Sequence, residues 1–376
     1  MTKRKILFLI LRHNNPLKGG VQRVCDNLAQ GFNEKGYETY SITEKVEGDT
    51  HYNASFTFQG NSVQDKIMFL ESIVDKLGIN IIINANVDEK TTNDILLPLK
   101  GKVLIIGHYH NSPFGINSWI NPIKNYKFAQ NYCFRTLAYY IQRYRQKGKI
   151  RKMVSSIDCL VLLSDNYKPE MSHLTFGANI KMYGIPNPFP CVEIEIYKKE
   201  KMLLYVGRIC NQHKRIHSLL NVWKIVSKSL PDWHFYLLGG GDELDYWKNN
   251  SEQMGLNNIH FNGFEDPKEY YSKARFLLMT SNYEGFPMTI VEAMQYGCIP
   301  VVFDSFAAVH DVIENGKNGV IIPKFSEKQF AEAIVLLSSQ AKKCEVMGED
   351  AQMSVKRFSI DNIVEKWEAI FKEFNV

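Results

Sequence analysis

The amino-acid sequence predicts an α/β protein with two doubly wound parallel sheets. Short runs rich in Ile, Val and Leu alternate with helix-like segments along most of the chain. Most of these runs lack the in/out alternation of half-exposed strands, as expected for parallel strands that are covered on both faces. The chain has 376 residues, which is enough for two domains of this kind.

The strands predicted for the first half of the chain are short and apolar. They are Lys5–Leu11, Glu38–Ile42, Ile79–Asn84, Val103–Gly107, Cys159–Leu163 and Lys181–Gly184. Between them, apolar residues at helical spacing predict helices that include Val21–Lys35 and Asp65–Leu77. This alternation indicates crossover connections between parallel strands.

The second half of the chain shows the same alternation of strands and helices. Its predicted strands are Met202–Val206, His234–Leu238, Ile259–Asn262, Phe276–Met279, Ile299–Phe303 and Val320–Ile322. Its predicted helices include Ser218–Ser229, Asp242–Met254, Pro267–Ser272, Ile290–Tyr296 and Glu327–Ser338.

Three prolines within Ile185–Pro190 end the regular pattern and indicate a domain boundary there. We therefore predict a first Rossmann-like domain over residues 1–187 and a second over residues 188–359. A tail helix within residues 360–376 is expected to pack back on the first domain.

The composition excludes several classes of protein. Hydrophobic residues make up 45% and charged residues 23% of the chain, so it can form cores and is not intrinsically disordered. The apolar run Ile6–Leu11 is far shorter than the roughly 20 residues of a membrane-spanning helix, and we interpret it as a buried strand rather than a signal peptide. The seven cysteines form no C-x-x-C pair, which argues against a disulfide framework or a zinc site and favours the cytoplasm.

One region carries the positive excess of the chain, because Ile95 to Ile157 contains eleven Lys and Arg but no Asp or Glu. Within it, basic and aromatic residues recur at helical spacing. They are Arg135, Thr136, Tyr139, Tyr140, Arg143, Tyr144, Lys147 and Arg151. This pattern predicts a helix over Arg135–Lys152 that lies on an anionic membrane surface. The alternative is a solvated helix that packs on the sheet. Since no nucleic-acid-binding module is recognised, we expect no nucleic-acid partner.

Glycine and basic residues follow predicted strands in both halves. Gly19 and Gly20 precede a helix, whose N-terminus can bind an anion such as phosphate; the alternative is an ordinary turn. Arg208 lies just past the strand Met202–Val206, and Lys214 follows six residues later. An arginine fork and a lysine together suit a diphosphate, and the alternative is a solvated basic turn.

The segment Ser281–Met294 has the most specific pattern in the chain. Gly285 and Pro287 predict a loop that contains Glu284, and Glu292 follows eight residues later in a helix. Loop amides and a helix N-terminus bind anions or sugar hydroxyls, and a carboxylate suits a vicinal diol. In isolation, Glu292 could equally compensate the helix dipole.

These residues resemble the retaining, nucleotide-sugar-dependent glycosyltransferases of family four, also called glycosyltransferase group 1. That family has the GT-B fold, with two Rossmann-like domains facing across a cleft. E-G-F-P-M-T-I-V-E-A-M, at residues 284–294, matches the family's E-x₇-E motif. Further matches stand in the family's order over nearly the whole chain. They are Gly19–Arg23, Ile185–Asn187, Val206–Arg208 with Lys214, Leu237–Asp242, Asn262-Gly263 and Asn315–Gly319.

The resemblance implies a role for each matching position. Arg208 and Lys214 would neutralise the diphosphate leaving group, and Gly20 would let the first domain approach it. Glu292 would hold the donor ribose hydroxyls, and Glu284 would lie near the donor sugar. The other residues expected at the donor site are Gly19, Asn187, Gly263, Gly285, Phe286, Pro287, Met288 and Thr289.

Two positions depart from the family's pattern. Arg215 and Pro188 stand where the family usually has glycine, so the backbone path there is expected to differ. We expect the loop after Lys214 to be stiffer.

The acceptor side of the expected site follows the strand Val103–Gly107. His110 resembles the family's histidine near the reacting sugar, and His108 is the second choice. The alternatives are a metal-binding H-x-H pair and a structural histidine. The chain contains no D-x-D pair, so Arg208, Lys214 and helix dipoles are expected to replace a metal ion, and no cofactor is expected.

The sequence therefore predicts a retaining, metal-independent glycosyltransferase. Its expected donor is a nucleotide-diphosphate sugar, with UDP as the family's commonest nucleotide. Its expected acceptor is a hydroxyl of a glycan or a lipid-linked molecule in cell-surface polysaccharide biosynthesis, at the inner face of the cell membrane. The alternatives are an epimerase or hydrolase of the same fold, a glycan phosphorylase and a non-catalytic nucleotide-sugar-binding module. A dinucleotide dehydrogenase would need the missing G-x-G-x-x-G motif.

Overall fold

The structure is a computed structural model that describes residues 4–113, 141, 144, 148–175, 177–195 and 197–376. The chain divides into two compact units. Unit 1 comprises Met1–Pro190 together with Phe358–Val376, and unit 2 comprises Cys191–Arg357.

In its described part, unit 1 contains one sheet of seven strands in the order β3-β2-β1-β4-β5-β6-β7. They are β1 (Lys5–Leu9), β2 (Glu38–Thr43), β3 (Ala54–Thr57), β4 (Ile81–Asn84), β5 (Leu104–Tyr109), β6 (Cys159–Leu162) and β7 (Lys181–Gly184). All neighbouring strands are parallel. Every residue of β4, β5 and β6 is buried, which explains their continuous apolar sequences.

The helices before the second unit are α1 (Gly20–Glu34), α2 (Val63–Leu77), α3 (Lys90–Leu96) and α4 (Lys168–Leu174). Residues 148–156 are also helical, and 3₁₀ turns cover Leu97–Leu99 and Asp165–Tyr167. Local sequence sets the ends of α2. Ser62 accepts a 3.0 Å hydrogen bond from the Asp65 amide, Asp65 accepts one of 3.1 Å from the Ser62 amide, and Gly78 ends the helix at φ 66°.

Unit 2 contains, among its described residues, a parallel sheet of six strands in the order β10-β9-β8-β11-β12-β13. They are β8 (Met202–Val206), β9 (His234–Leu238), β10 (Ile259–Gly263), β11 (Phe276–Met279), β12 (Ile299–Phe303) and β13 (Val320–Ile322). Its helices are α5 (Asn211–Lys214), α6 (Ile216–Ser229), α7 (Leu244–Gln253), α8 (Lys268–Lys273), α9 (Met288–Gln295), α10 (Val309–Val312), α11 (Glu327–Ser338) and α12 (Ala341–Val355). The fully buried Trp223 anchors the core of this unit, and its Nε1 donates to the Asn257 carbonyl at 2.9 Å.

The last helix, α13 (Ile360–Glu373), follows a 3₁₀ turn at Lys356–Phe358 and belongs to unit 1. It buries one apolar face, made of Ile363, Val364, Trp367, Ile370 and Phe371. Within the described ranges of the chain, no helix is both long enough and apolar enough to cross a bilayer.

Helix α13 packs closely on α1. The Phe371 ring stacks on Phe32, with ring centroids 5.5 Å apart. Gly31 of α1 lies at the point of closest approach, where an added Cβ would lie 2.4 Å from Cγ2 of Ile360 and 2.7 Å from Cγ2 of Val364. Since both neighbours are β-branched and stiff, this crossing requires glycine.

The predicted α/β fold with two parallel sheets is confirmed, and all of the predicted strands are present. Strand β3 was not predicted, because its sequence A-S-F-T is short, polar and half-buried at the sheet edge. Helix α12 was also missed. Its buried residues have helical spacing but are mostly small or weakly apolar, and they include Gly348.

Substituting Gly31 by alanine tests the packing of α13 on α1. We expect Gly31→Ala to lower the free energy of unfolding by about 1–3 kcal/mol, because the added methyl group overlaps Ile360 and Val364. Urea denaturation measures the change. The control is Gln30→Ala, next to it in α1, where only a side-chain bond to exposed Glu34 is lost. Equal stability of the two variants would contradict the close crossing.

Candidate active site

The carboxyl end of the unit 2 sheet is built by very close backbone contacts between the loops after β8, β9 and β10. The Gly207 amide donates to the Leu238 carbonyl at 2.9 Å, and the Ile209 amide donates to that of Gly240 at 2.9 Å. Gly239 has φ 138°, and a Cβ there would lie 1.9 Å from the Gly207 carbonyl oxygen. The predicted donor residue Gly263 accepts the Gly239 amide at 2.6 Å. Gly239 and Gly241 of the Leu237–Asp242 segment are therefore needed for the approach of one loop to the next, since a Cβ on Gly241 would lie 2.4 Å from the Ile209 carbonyl oxygen.

Two predicted site residues that are 70 positions apart meet at this edge. Lys214 ends α5, and Glu284 lies in the loop between β11 and α9. Lys214 Nζ lies 2.5 Å from Glu284 Oε1, and the side chains are only 16% and 11% exposed. The structure thus places a mostly buried ion pair where the sequence predicted two separate contacts to the donor.

Hydrogen bonds hold the two loops that carry this pair. The Asn282 amide donates to the His213 carbonyl at 2.8 Å, and the Asn282 side-chain amide donates to the Gln212 carbonyl at 2.6 Å. The Thr280 hydroxyl donates to the Lys214 carbonyl at 2.9 Å. All three acceptors are backbone carbonyls of α5, so its single turn is attached at fixed positions to the segment that connects β11 with α9.

The ion pair also sets the charge of the site. Burial works to raise the pKa of Glu284, but the nearby Lys214 ammonium and His213 outweigh it, so the pKa lies below its usual value. Glu284 is therefore ionised at neutral pH. The His213 ring stacks on Tyr283 at 4.3 Å, and its Nε2 lies 2.8 Å from the Tyr283 carbonyl, which makes this nitrogen the donor. Burial lowers the pKa of His213.

Arg208 adds an exposed positive charge to the same edge. It follows β8, and its carbonyl accepts a 2.8 Å hydrogen bond from the Tyr205 hydroxyl, which holds the turn. Since Lys214 and Glu284 together are neutral, Arg208 leaves this group of three residues with a net positive charge, which suits an anion.

The remaining predicted donor residues surround the start of α9. Pro287 precedes the helix, and no side chain caps its first turn. Phe286 is 6% exposed, whereas Gly285, Met288 and Thr289 are half-buried. Glu292 lies one turn into α9, where its Oε2 accepts a 3.1 Å hydrogen bond from the Tyr271 hydroxyl.

In unit 1, the two candidate histidines differ in position. His108 lies inside β5, opposite Val161 of β6, and is 1% exposed, whereas His110 follows the strand and is half-buried. Their ring centroids are 3.9 Å apart, and His108 also packs edge-on against Trp367 at 5.1 Å. Burial lowers the pKa of His110 to about 3, so its imidazole is neutral at physiological pH. Within the described part of the chain, His110 Nε2 has no hydrogen-bond partner.

The other unit 1 candidates lie at a helix start and at the end of the first segment of the unit. Gly19 precedes α1 with an extended backbone and supplies no side-chain cap. A Cβ on Gly20 would have open space around it among the described residues. Asn187 is 6% exposed, and its Oδ1 has no partner in the described ranges.

Several residues of the site were not named from the sequence. His213, Asn282 and Thr280 hold the ion pair in place, as described above. Glu243 joins α5 to the loop after β9, because its Oε2 accepts the Asn211 amide at 2.9 Å and Trp247 Nε1 at 2.8 Å. Polar residues beside Lys214 and Glu284 were the available signal, but their partners are distant in sequence.

Two further predictions concern a metal ion and the basic helix. No group of three or more His, Cys, Asp or Glu residues that could hold a metal lies within the described ranges. Most of the predicted membrane-binding helix, including residues 135–140, 142–143 and 145–147, lies outside the described residues. Of its described part, Tyr144 is 76% exposed and Lys152 pairs with Asp94 at 3.0 Å.

Alanine substitutions of two adjacent glycines test the close approach of the loops. We expect Gly239→Ala to lower the melting temperature by several degrees or to prevent folding, because its Cβ would overlap the Gly207 carbonyl. Gly240→Ala is the matched control, since a Cβ there meets no atom within 4 Å in the described structure. Thermal unfolding measures both, and a Gly239→Ala protein as stable as Gly240→Ala would refute the constraint.

The pKa of His110 predicts a pH dependence of stability. Its pKa is about 3 in the folded chain, below its ordinary value of about 6.5, so the unfolded chain binds more protons between these values. The free energy of unfolding should therefore fall as pH drops below about 6.5, by up to about 1.4 kcal/mol per pH unit from this group. Urea denaturation of His110→Gln between pH 7 and 5 should show a shallower slope. An unchanged slope would mean that His110 gains its proton equally in both states.

Comparison with known proteins shows what the chain is similar to. Residues 192–353 match the family model described as "Glycosyl transferases group 1". An uncharacterised glycosyltransferase of Haemophilus influenzae is 22% identical over 98% of this chain and 99% of its own length. The poly(glycerol-phosphate) alpha-glucosyltransferase of Bacillus subtilis is 22% identical over 60% of this chain, which corresponds to 34% of its own length.

The fold is shared with solved structures. Anabaena HepE, in a structure that contains UDP and glucose, superimposes with a TM-score of 0.73 at 16% sequence identity. The match covers 98% of this chain and 100% of that one. Residues 192–353 are therefore similar to the glycosyltransferases of group 1, and the chain has the GT-B fold.

Proposed function

We propose that the chain transfers a sugar from a nucleoside-diphosphate sugar, with UDP as the nucleotide, to a hydroxyl acceptor with retention at the anomeric carbon. The observation that carries the proposal is the Lys214–Glu284 ion pair beside exposed Arg208, at the carboxyl end of the unit 2 sheet. Ligands of parallel α/β sheets bind at this end. The complex of HepE with UDP supports the choice of nucleotide.

Breaking the glycosyl–phosphate bond leaves negative charge on the departing β-phosphate. Lys214 carries three N–H donors. Its contact with Glu284 holds the ammonium nitrogen in place before a ligand binds. Donors that need no reorganisation stabilise developing charge most effectively. Arg208 supplies a planar fork that can bind two phosphate oxygens at once.

The two glutamates take different parts in this proposal. Glu292 accepts hydroxyl hydrogen bonds, and Tyr271 already uses one of its oxygens in this way. A ribose diol would use the remaining acceptor positions. Glu284 lies near the donor sugar and orients the Lys214 ammonium, a task that requires the ionised carboxylate.

His110 would act as a neutral group. Because its pKa is lowered to about 3, it cannot serve as a general acid at neutral pH. Its buried Nε2 can exchange a hydrogen bond with a sugar hydroxyl. No side chain in the described part of the site is assigned as a covalent nucleophile. We therefore propose attack from the face that the leaving group vacates, with the departing phosphate accepting the proton of the acceptor hydroxyl.

The proposed acceptor is a hydroxyl of a glycan or a lipid-linked molecule in cell-surface polysaccharide biosynthesis. The alpha-glucosyltransferase that acts on poly(glycerol-phosphate) supports this class. We also propose that the reaction needs no metal ion or bound cofactor, since Arg208 and Lys214 supply the positive charge. Attachment of Arg135–Lys152 to the inner membrane face stays a prediction.

Removing the two cations tests the proposed leaving-group site. We expect Arg208→Ala and Lys214→Ala each to lower kcat by roughly 10²–10³, the scale for loss of one preorganised donor. Steady-state transfer from the UDP-sugar that binds most tightly measures the loss. Lys248→Ala, on exposed α7, is the control for removal of a positive charge in the same unit.

This test requires that both variants fold. Lys214→Ala leaves Glu284 buried without its partner, so its folding must be checked by circular dichroism, whereas exposed Arg208 carries no such cost. Wild-type kcat in both folded variants would refute the leaving-group assignment.

A further inference from the structure

Arg215, the residue after Lys214, has a backbone conformation that L-residues rarely adopt. Its φ is 52° and its ψ is 56°, in the left-handed region, where it ends α5 and precedes α6. Glycine would adopt this conformation without strain. Arg215 thus adopts the left-handed conformation that glycine favours, and contacts of its side chain must offset the strain. The stiffness of this loop stays a prediction.

The Arg215 side chain makes such contacts. Its guanidinium carbon lies 3.9 Å from the centroid of the Phe325 ring. Its Nε donates to the Ser218 hydroxyl at 3.2 Å, its Nη1 to Asn282 Oδ1 at 3.5 Å, and its Nη2 lies 3.1 Å from His217 Nε2. Every guanidinium nitrogen therefore has a partner within this network, which ties the side chain to the residues around the loop.

The network continues beyond the arginine. His217 is held in turn by Asn211, whose Oδ1 accepts the His217 amide at 3.0 Å and lies 2.6 Å from His217 Nδ1. Asn211 is the first residue of α5 and Lys214 is the last. The contacts of Arg215 therefore reach both ends of the turn that carries Lys214.

Phe325 repeats the same unusual feature. It follows β13, has φ 65° and packs its ring edge-on against Phe303 at 6.0 Å. In the described part of the chain, non-glycine residues with positive φ are few, and Arg215 and Phe325 are two of them that touch each other. Two strained residues in direct contact indicate a site where the backbone path serves a purpose.

We propose that Arg215 is a positioning residue for Lys214, and that its stack on Phe325 holds the ammonium against Glu284 for the diphosphate. The inference rests on the proposed function. Helix α5 has four residues, too few to be stable alone. The Lys214 carbonyl is held by Thr280, and the next residue is held by Phe325, so the peptide that carries Lys214 is fixed from both sides.

Substitution at both ends of the stack tests the proposal. Arg215→Gly removes the guanidinium group, and glycine adopts the left-handed backbone without strain. Phe325→Leu removes the aromatic ring but keeps an apolar side chain. We expect each to weaken UDP binding about fivefold to tenfold, the range of a partly desolvated cation–π contact. The double variant should bind within about twofold of the weaker single variant, because the two residues act as one unit. Calorimetry measures the dissociation constants, and thermal unfolding monitors the fold.

The Lys214→Ala background separates positioning from general structural support. If Arg215 acts through Lys214, adding Arg215→Gly to Lys214→Ala should change UDP affinity by less than about twofold. An equal loss in both backgrounds would overturn the proposal, as would wild-type affinity in Arg215→Gly.

A second stacked arginine supplies the control. Arg275 lies 5.9 Å from the Trp233 ring and donates to the Lys199 carbonyl in the same unit. Arg215→Lys should weaken UDP binding because lysine lacks the planar fork, whereas Arg275→Lys should retain it. Equal effects of the two substitutions would indicate a general effect on unit 2 and would overturn the proposal.

A readout without nucleotide separates this inference from the proposed function. If no nucleoside diphosphate binds the wild-type chain, the proposed function fails by itself. The ¹H–¹⁵N ammonium resonance of Lys214, assigned with Lys214→Arg, then reports the ion pair directly. We expect this resonance to be observable in the wild type and lost in Arg215→Gly. Its persistence in the variant would overturn the positioning role.

Discussion

The ion pair between Lys214 and Glu284 is the interaction on which the candidate site depends. Charges that are mostly buried are stable only when the partner is present, so each of the two residues requires the loop that carries the other. Asn282 and Thr280 hold those loops together through carbonyls of α5. The ammonium is therefore in position before any ligand arrives. A fixed donor in a poorly hydrated setting stabilises developing negative charge far better than a mobile side chain in water.

The parallel sheet explains why these loops meet. Strand β8 lies between β9 and β11, so the segments after all three strands emerge at the same edge. Arg208 and α5 follow β8, the glycines at 239–241 follow β9, and the loop with Glu284 follows β11. Gly239 allows the loops after β8 and β9 to contact each other through their backbones. The side chains of Arg208 and Lys214 are not used in this contact. The strand order thus brings Arg208, Lys214 and Glu284 to the same edge of the sheet. The lack of a side chain at Gly239 allows the loops after β8 and β9 to come this close.

The sequence predicted the sheets well, because their strands are continuous apolar runs, and it missed β3, which is polar and half-buried. Arg208, Lys214 and Glu284 could be named from their place after strands and from the family motif. Their arrangement could not, since the ion pair joins residues 70 positions apart. The same holds for Arg215. Its departure from glycine was visible, but Phe325, which stabilises the left-handed backbone, lies on a distant strand end. The roles of His110 and Asn187 stay predictions.

Binding of free nucleoside diphosphates to the wild-type chain tests the central claim, a preformed anion site built from Arg208 and Lys214, most directly. Thermal unfolding would be measured with UDP, GDP, ADP and UMP, each with and without EDTA. One diphosphate at about 100 times its dissociation constant should add about 2.7 kcal/mol to the free energy of unfolding, a shift of a few degrees. UMP, which lacks the β-phosphate, should shift the curve less at the same concentration, and EDTA should change nothing. A shift that EDTA abolishes, or no shift with any diphosphate, would contradict the account.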